Sequence, residues 1–331
     1  MDRTILGSTT FPLGFGCVQL TTHREESEAV AILEHAFELG ITHFDVARAY
    51  GFGRAEGILG KFLRGRRDRV TVATKLGLQP PAGIAGNARI INAAKRLLTP
   101  FPALLKLAKR GGSAMEKSAV FAPDAAIRSL ETSLRELGTD YVDILLLHEA
   151  TLADAAGAEL LDALQRQVAK GSIRHLGIAS DFAKLQQDAG RLPIPYQIVQ
   201  FNDNAWRRNL PTLQNRQHRL LITHSIFEPA KRLREAAKAD AHVASESSRR
   251  IGADVSDPDV IVALLLHYAL RSNAGGVVLF SSTNPRHLET NVREAQGQRF
   301  DDAQLEHFVA YADLVLGTLG AATRGAAEGA A

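Results

Sequence analysis

Asp45, Tyr50, Lys75 and His148 are four residues whose types and placement suit proton transfer. Asp45 ends the apolar run 42–46, and Tyr50 follows in the next loop. Lys75 stands directly after the run 70–74, and His148 directly after 142–147. A lone Lys or His after a strand is most often a solvated rim residue. Three ionisable groups at the ends of successive strands, with a Tyr beside them, define a site instead. A free phenol titrates near 10, too high for efficient proton exchange at neutrality. Lowering it by about 2–3 units takes roughly 3–4 kcal/mol of preferential phenolate stabilisation. One ammonium about 4 Å away supplies a comparable amount at an effective dielectric near 20. Lys75 can serve if Asp45 keeps it charged, because burial alone favours neutral Lys. His148 then orients the substrate oxygen or relays its proton.

These residues need parallel strands that end on one side. The runs 42–46, 70–74, 142–147, 173–178, 197–200, 220–224 and 277–280 are short and aliphatic, with 13–18 a weaker eighth. Such runs suit strands buried on both faces. Between them, amphipathic patterns predict helices over 25–39, 55–63, 124–137, 155–170, 182–189, 258–271 and 285–294. Gly40, Gly138 and Gly171 follow three of these stretches where helix C-terminal glycines belong. The alternation predicts an α/β fold, a (β/α)8 TIM barrel whose active rim is at the strand C-termini. A doubly wound sheet would carry a Gly-rich first turn, and Gly51-Phe52-Gly53 is not that fingerprint.

The barrel is expected as a single domain over 1–316, with a long insertion at 79–121 after the third strand. Its 93–109 part reads as a basic amphipathic helix broken at Pro100 and Pro102, either a surface insertion or a lid over the rim. The polar stretch 231–257 is expected to border that rim, and the Ala- and Gly-rich tail 317–331 to fray.

Charge narrows the partners. Thirty-nine Lys and Arg against 36 Asp and Glu leave +3, which points to neither nucleic acid nor membrane. Cys17 is the only cysteine, so no intrachain disulfide can form. With neither a leader pattern nor a long apolar run, cytoplasm is the expected compartment. His43, His148 and Cys17 do not form a tetrahedral ligand set, so no metal is expected.

The constellation resembles the aldo-keto reductase superfamily over about residues 6–295. Phe44-Asp45-Val46-Ala47-Arg48-Ala49-Tyr50-Gly51 is similar to its Asp-Thr-Ala-x-x-Tyr-Gly segment, and Glu56-Gly57-Ile58-Leu59-Gly60 to the Glu-x-x-Leu-Gly that follows. The stretch from Leu137 to His148 is similar to a further signature. The resemblance implies hydride transfer between a nicotinamide nucleotide and an aldehyde, ketone or sugar, with Tyr50 as general acid, Asp45 and Lys75 tuning it, and His148 completing the tetrad. It implies Ser180, Asp181 and Gln200 on the nicotinamide carboxamide, although Asp181 stands where the family has Asn and cannot donate as an amide does. It places His224, Ser225 and Phe227 along the cofactor, with His224 replacing a stacking aromatic ring. Ser281, Ser282, Thr283, His287 and Asn291 fall where the family holds the adenosine 2′-phosphate and adenine, at a helix start that offers N–H groups to an anion. His287 replaces a basic clamp and Arg286 is its neighbour, so NADP is expected with NAD an open alternative. Arg48 and Trp206 are candidate substrate contacts.

A catalytically silent nucleotide sensor on the same barrel is the alternative from another class. A hydrolase or lyase using Asp45 and His148 would leave Tyr50 and Lys75 without a role.

Overall fold

The computed structural model describes residues 3–5, 8–22, 25–80, 120–185 and 188–328. After a short antiparallel pair, β1 (Arg3–Ile5) and β2 (Ser8–Thr10), come eight strands: β3 (Leu13–Gly16), β4 (His43–Asp45), β5 (Thr71–Leu76), β6 (Val142–His148), β7 (Ile173–Ala179), β8 (Tyr196–Asn202), β9 (Leu220–His224) and β10 (Val277–Phe280). Each pairs in parallel with the next, and β10 also pairs with β3, which closes a barrel. The predicted (β/α)8 barrel is therefore the observed one.

Both faces of these strands are buried, which is why their sequences are nearly continuous apolar runs. Ala73, Ile144, Leu146, Ala179, Ile198, Ile222, Val277 and Leu279 form one buried cluster, set at alternate strand positions that fill the barrel interior. The intervening residues, such as Leu145, Leu147, Ile178, Val199 and Val278, pack outward in a larger cluster with Leu33, Phe62, Leu130 and Leu164 of the helices.

The helices are α1 (Glu26–Glu38), α2 (Ala55–Leu63), α3 (Pro123–Leu137), α4 (Leu152–Ala155), α5 (Ala158–Ala169), α6 (Asn209–Thr212), α7 (Ala230–Ala239), α8 (Ala241–Ile251), α9 (Pro258–Ser272), α10 (Pro285–Gln296) and α11 (Asp302–Glu328). Gly60 lets α2 meet α3 backbone to backbone, since a Cβ there would lie 2.4 Å from the Glu136 carbonyl oxygen. Among the described residues no helix is long and apolar enough to cross a membrane.

Two expectations are corrected. Within 182–189 the described residues fall in two 3₁₀ turns, Phe182–Leu185 and Ala189–Arg191, not an α-helix. Asp188 Oδ1 accepts from the Gly190 N–H and from Asn215 Nδ2, both at 2.9 Å, and this side-chain turn replaces the helical ladder. The polar stretch 231–257 supplies none of the lining of the cavity at the strand C-termini. It folds as α7 and α8, where Asp240 caps α8 by accepting from the His242 and Val243 N–H groups. Leu233, Ala237 and Ile251 bury their apolar sides with Leu264 of α9 and Phe308 and Tyr311 of α11. Helix α11 runs to Glu328. The insertion expected as a lid falls, over 81–119, outside the described residues.

Candidate active site

Strand alternation turns Asp45, Lys75, His148 and Gln200 towards one cavity of about 470 Å³ at the C-terminal ends of the strands. Register brings the first three together: Asp45 pairs with Ala73, Lys75 with Leu146, and His148 with Ala179. Lys75 Nζ is ion-paired with Asp45 Oδ1 and donates to the Val46 carbonyl and to Tyr50 Oη, both at 3.3 Å. Both Lys75 and Asp45 are almost fully buried. The edge of one ring faces the other in the Tyr50–His148 pair, with centroids 6.0 Å apart and planes at 83°.

Tyr50 sits at the start of a turn of unusual backbone. Gly51 (φ 58°), Phe52 (φ 59°) and Gly53 (φ 86°) are all left-handed. Gly51 is required twice over, because a Cβ there would also lie 2.0 Å from Thr21 Cγ2.

The electrostatics differ from the sequence argument in one respect. Burial pushes the Tyr50 phenol above its ordinary value, with Lys75 opposing and Asp45 adding to the rise. Lys75 shares its charge with Asp45, so it moderates the rise without reversing it. Burial would by itself lower Lys75, but Asp45 and Tyr50 outweigh it and hold the ammonium above its usual value. His148 is driven down to about 3, first by burial and then by the Lys75 charge, and is neutral at pH 7. Its Nδ1 is buried with no partner among the described residues.

Of the residues expected along a cofactor, Ser180, Gln200, His224, Ser225, Phe227 and Ser281 line the cavity. Gln200 Nε2 donates to Asp45 Oδ2 at 2.8 Å, and Ser180 Oγ to the Ala150 carbonyl at 2.6 Å. The His224 ring lies 2.9 Å from Ser225 Oγ through Nδ1, and burial lowers its basicity. Ser281 Oγ donates to the Gly16 carbonyl at 2.6 Å.

Asp181 does not face the cavity. Its carboxylate accepts from the Ala183 N–H at 3.1 Å, because a short acceptor beside a 3₁₀ turn caps it. Arg48 points away from the mouth: Nη1 donates to Glu56 at 2.6 Å in a buried pair. Trp206 is no cavity wall either. Its Nε1 donates to the Ala312 carbonyl of α11 at 3.1 Å, and its ring packs in the outer cluster.

Ser282, Thr283, His287 and Asn291 lie beyond the cavity, on the turn before α10 and its first turns, with Asn291 buried and His287 exposed. The N–H groups expected to be open to an anion are taken. Asn284 N–H donates to Ser282 Oγ at 3.1 Å, Arg286 N–H to Asn284 Oδ1 at 3.0 Å, and His287 N–H to the Asn284 carbonyl at 3.1 Å. What this end offers is the exposed side chains of Arg286 and His287.

Sequence reasoning passed over several walls of the cavity. Val18 and Gln19 come from the turn after β3, Glu149 from the turn after β6, and Glu228 from the loop after β9. Glu149 is paired with Lys184 at 2.7 Å, and Glu228 with Arg207 at 2.8 Å. Their position directly after strand ends was the available signal. Among the described residues no group of His, Cys, Asp and Glu could hold a metal ion.

A closed parallel barrel with this Asp–Lys–Tyr–His group at its mouth, its Asp45 and Lys75 buried, agrees with the comparisons to known proteins. A sequence profile of the Aldo/keto reductase family matches residues 12–312. The chain belongs to this family and is an oxidoreductase acting on carbonyl or alcohol groups. It is 24% identical over 92% of its length to an uncharacterized oxidoreductase of Bacillus subtilis, 95% of which is covered. It is 32% identical to the 6-dehydroglucose reductase of Agrobacterium fabrum, over 51% of this chain and 50% of that protein. A solved aldo-keto reductase from Klebsiella pneumoniae in complex with NADPH superposes with a TM-score of 0.62 at 21% identity, covering 93% of this chain and 95% of that one.

Proposed function

We propose that the protein transfers a hydride between a nicotinamide nucleotide, NADP by preference, and a small aldehyde, ketone or sugar, in the cytoplasm, with Tyr50 as general acid and base. The observation that carries this reading is the hydrogen bond from Lys75 Nζ to Tyr50 Oη at 3.3 Å, with Lys75 itself locked to Asp45. The NADPH complex of the Klebsiella relative and the sugar substrate named for the Agrobacterium relative support the cofactor and substrate class.

The residues present fit a nicotinamide better than they fit an adenosine phosphate. Gln200 Oε1 and Ser180 offer polar atoms to an amide inside the cavity, and the His224 and Phe227 rings give flat walls. A 2′-phosphate would meet Arg286 and His287. The bound nucleotide supplies or accepts the hydride. Tyr50, kept protonated by burial, gives its proton to the carbonyl oxygen in reduction and takes it back in oxidation. Lys75 stabilises the phenolate left behind. His148, neutral, holds the substrate oxygen by a hydrogen bond. Burial in the barrel mouth keeps these groups out of bulk water, where each interaction would be weaker.

The test is turnover of purified protein with NADPH and NADH over a panel of aldehydes, ketones and sugars, beside calorimetric nucleotide titration. Turnover with at least one carbonyl is expected. Nucleotide binding with no turnover on any of them would sink the reading and favour a sensor, which no structural observation favours at present.

A further inference from the structure

Glu56, in the first turn of α2, is fully buried and lies outside the cavity, yet both of its oxygens are engaged. Oε2 accepts from Arg48 Nη1 at 2.6 Å, and Oε1 from Thr74 Oγ1 at 2.6 Å. Both partners are chain neighbours of the site. Arg48 lies two residues before Tyr50, and Thr74 lies one before Lys75. Strand alternation turns Thr74 outward to Glu56 and Lys75 inward to Tyr50. One carboxylate therefore ties the loop of the phenol to the strand of the ammonium.

We propose that Glu56 is a positioning residue that sets the approach of Tyr50 Oη to Lys75 Nζ, with Arg48 and Thr74 as its two handles. The proposal rests on the reading of Tyr50 as the proton donor.

Stability is a poor reason for this arrangement. A buried ion pair is costly to desolvate, and an apolar pair of equal volume often holds a fold as well. Here the cost is raised because Arg48 Nε is buried without a partner among the described residues. What the pair provides is direction, since two short hydrogen bonds fix two segments relative to each other. The Tyr50 segment needs such an anchor, because the turn after it is left-handed at three consecutive residues, Gly51, Phe52 and Gly53. Arg48 fastens that segment on its other side.

The test uses the full chain and two near-isosteric changes, Thr74→Val and Glu56→Gln, beside Tyr50→Phe. Thr74→Val keeps the ion pair and removes only the strand handle, so it decides the matter if Glu56→Gln does not fold. The expected result is a fall in kcat of about tenfold for Thr74→Val, with nucleotide Kd and aldehyde KM within about twofold, as a small misplacement of reacting groups implies. In nucleotide-free protein labelled at tyrosine ¹³Cζ, the Tyr50 resonance, identified by its loss in Tyr50→Phe, is expected to shift in Thr74→Val. An unchanged kcat and an unmoved resonance in Thr74→Val, with Tyr50→Phe inactive, would overturn the clamp and leave the role of Tyr50 standing. Full activity in Tyr50→Phe would remove the reading of Tyr50 instead, and with it any catalytic meaning of the clamp.

Discussion

Gln200 on β8, four strands along the barrel from β4, donates through Nε2 to Asp45 Oδ2 at 2.8 Å, while Lys75 takes the other carboxylate oxygen. The buried Asp45 is thus satisfied on both oxygens before any ligand arrives. Gln200→Leu is expected to leave one oxygen without its donor and to cost about 1–3 kcal/mol of stability. Urea denaturation of the two proteins checks this, and equal midpoints would refute it.

Tyr50→Phe is expected to remove most turnover, by about 10²–10⁴-fold, because proton donation is lost while the fold is kept. Calorimetric nucleotide titration should be unchanged. On the role proposed for it, Tyr50 must be protonated for reduction, and burial holds its phenol above the ordinary value. The rate should therefore be full at neutral pH and fall only as pH rises through the phenol's apparent pKa. Lys75→Met removes the opposing charge, so that limb should move to still higher pH.

Acid should destabilise this protein through His43 and His148. His43 is lowered to about 4, chiefly by burial in the barrel interior, and His148 to about 3. Below pH 6.5 the unfolded chain binds these protons and the folded one does not, so stability is lost as pH falls from 6.5 towards 4. Each site contributes up to about 1.4 kcal/mol per pH unit in that window. His43→Gln should flatten the slope of unfolding free energy between pH 6 and 5, measured by denaturant titration.

Nucleotide preference is expected to reside in Arg286 and His287, since the α10 N–H groups are already engaged. Arg286→Ala should weaken NADPH binding by about tenfold, a loss of roughly 1.4 kcal/mol for one exposed charge-assisted contact, and spare NADH. Competing calorimetric titrations decide it, and an equal loss for both nucleotides would rule out a 2′-phosphate contact there.

The sequence made the candidate rim legible because strand ends and ionisable residues coincide at Asp45, Lys75 and His148, and the barrel brings all such ends to one side. It was less informative wherever a side chain had two outlets. Asp181 could face a ligand or cap its own turn, and the nearby Ala183 N–H decides for the cap. Arg48 could reach the mouth or find an acid, and Glu56 becomes its partner only once α2 folds back beside β5. Residues 182–189 carry a helical pattern, but Asp188 and Asn215 hold a tighter turn. The pairing of α7 and α8 with α11 depends on contacts far apart in the chain, and no local pattern announces it.

Trp206, the sole tryptophan, hydrogen-bonds to the backbone of α11 and does not line the cavity. Its fluorescence therefore reports on the docking of the terminal helix. A red shift in emission that precedes loss of barrel circular dichroism would mark that helix as the first unit to detach.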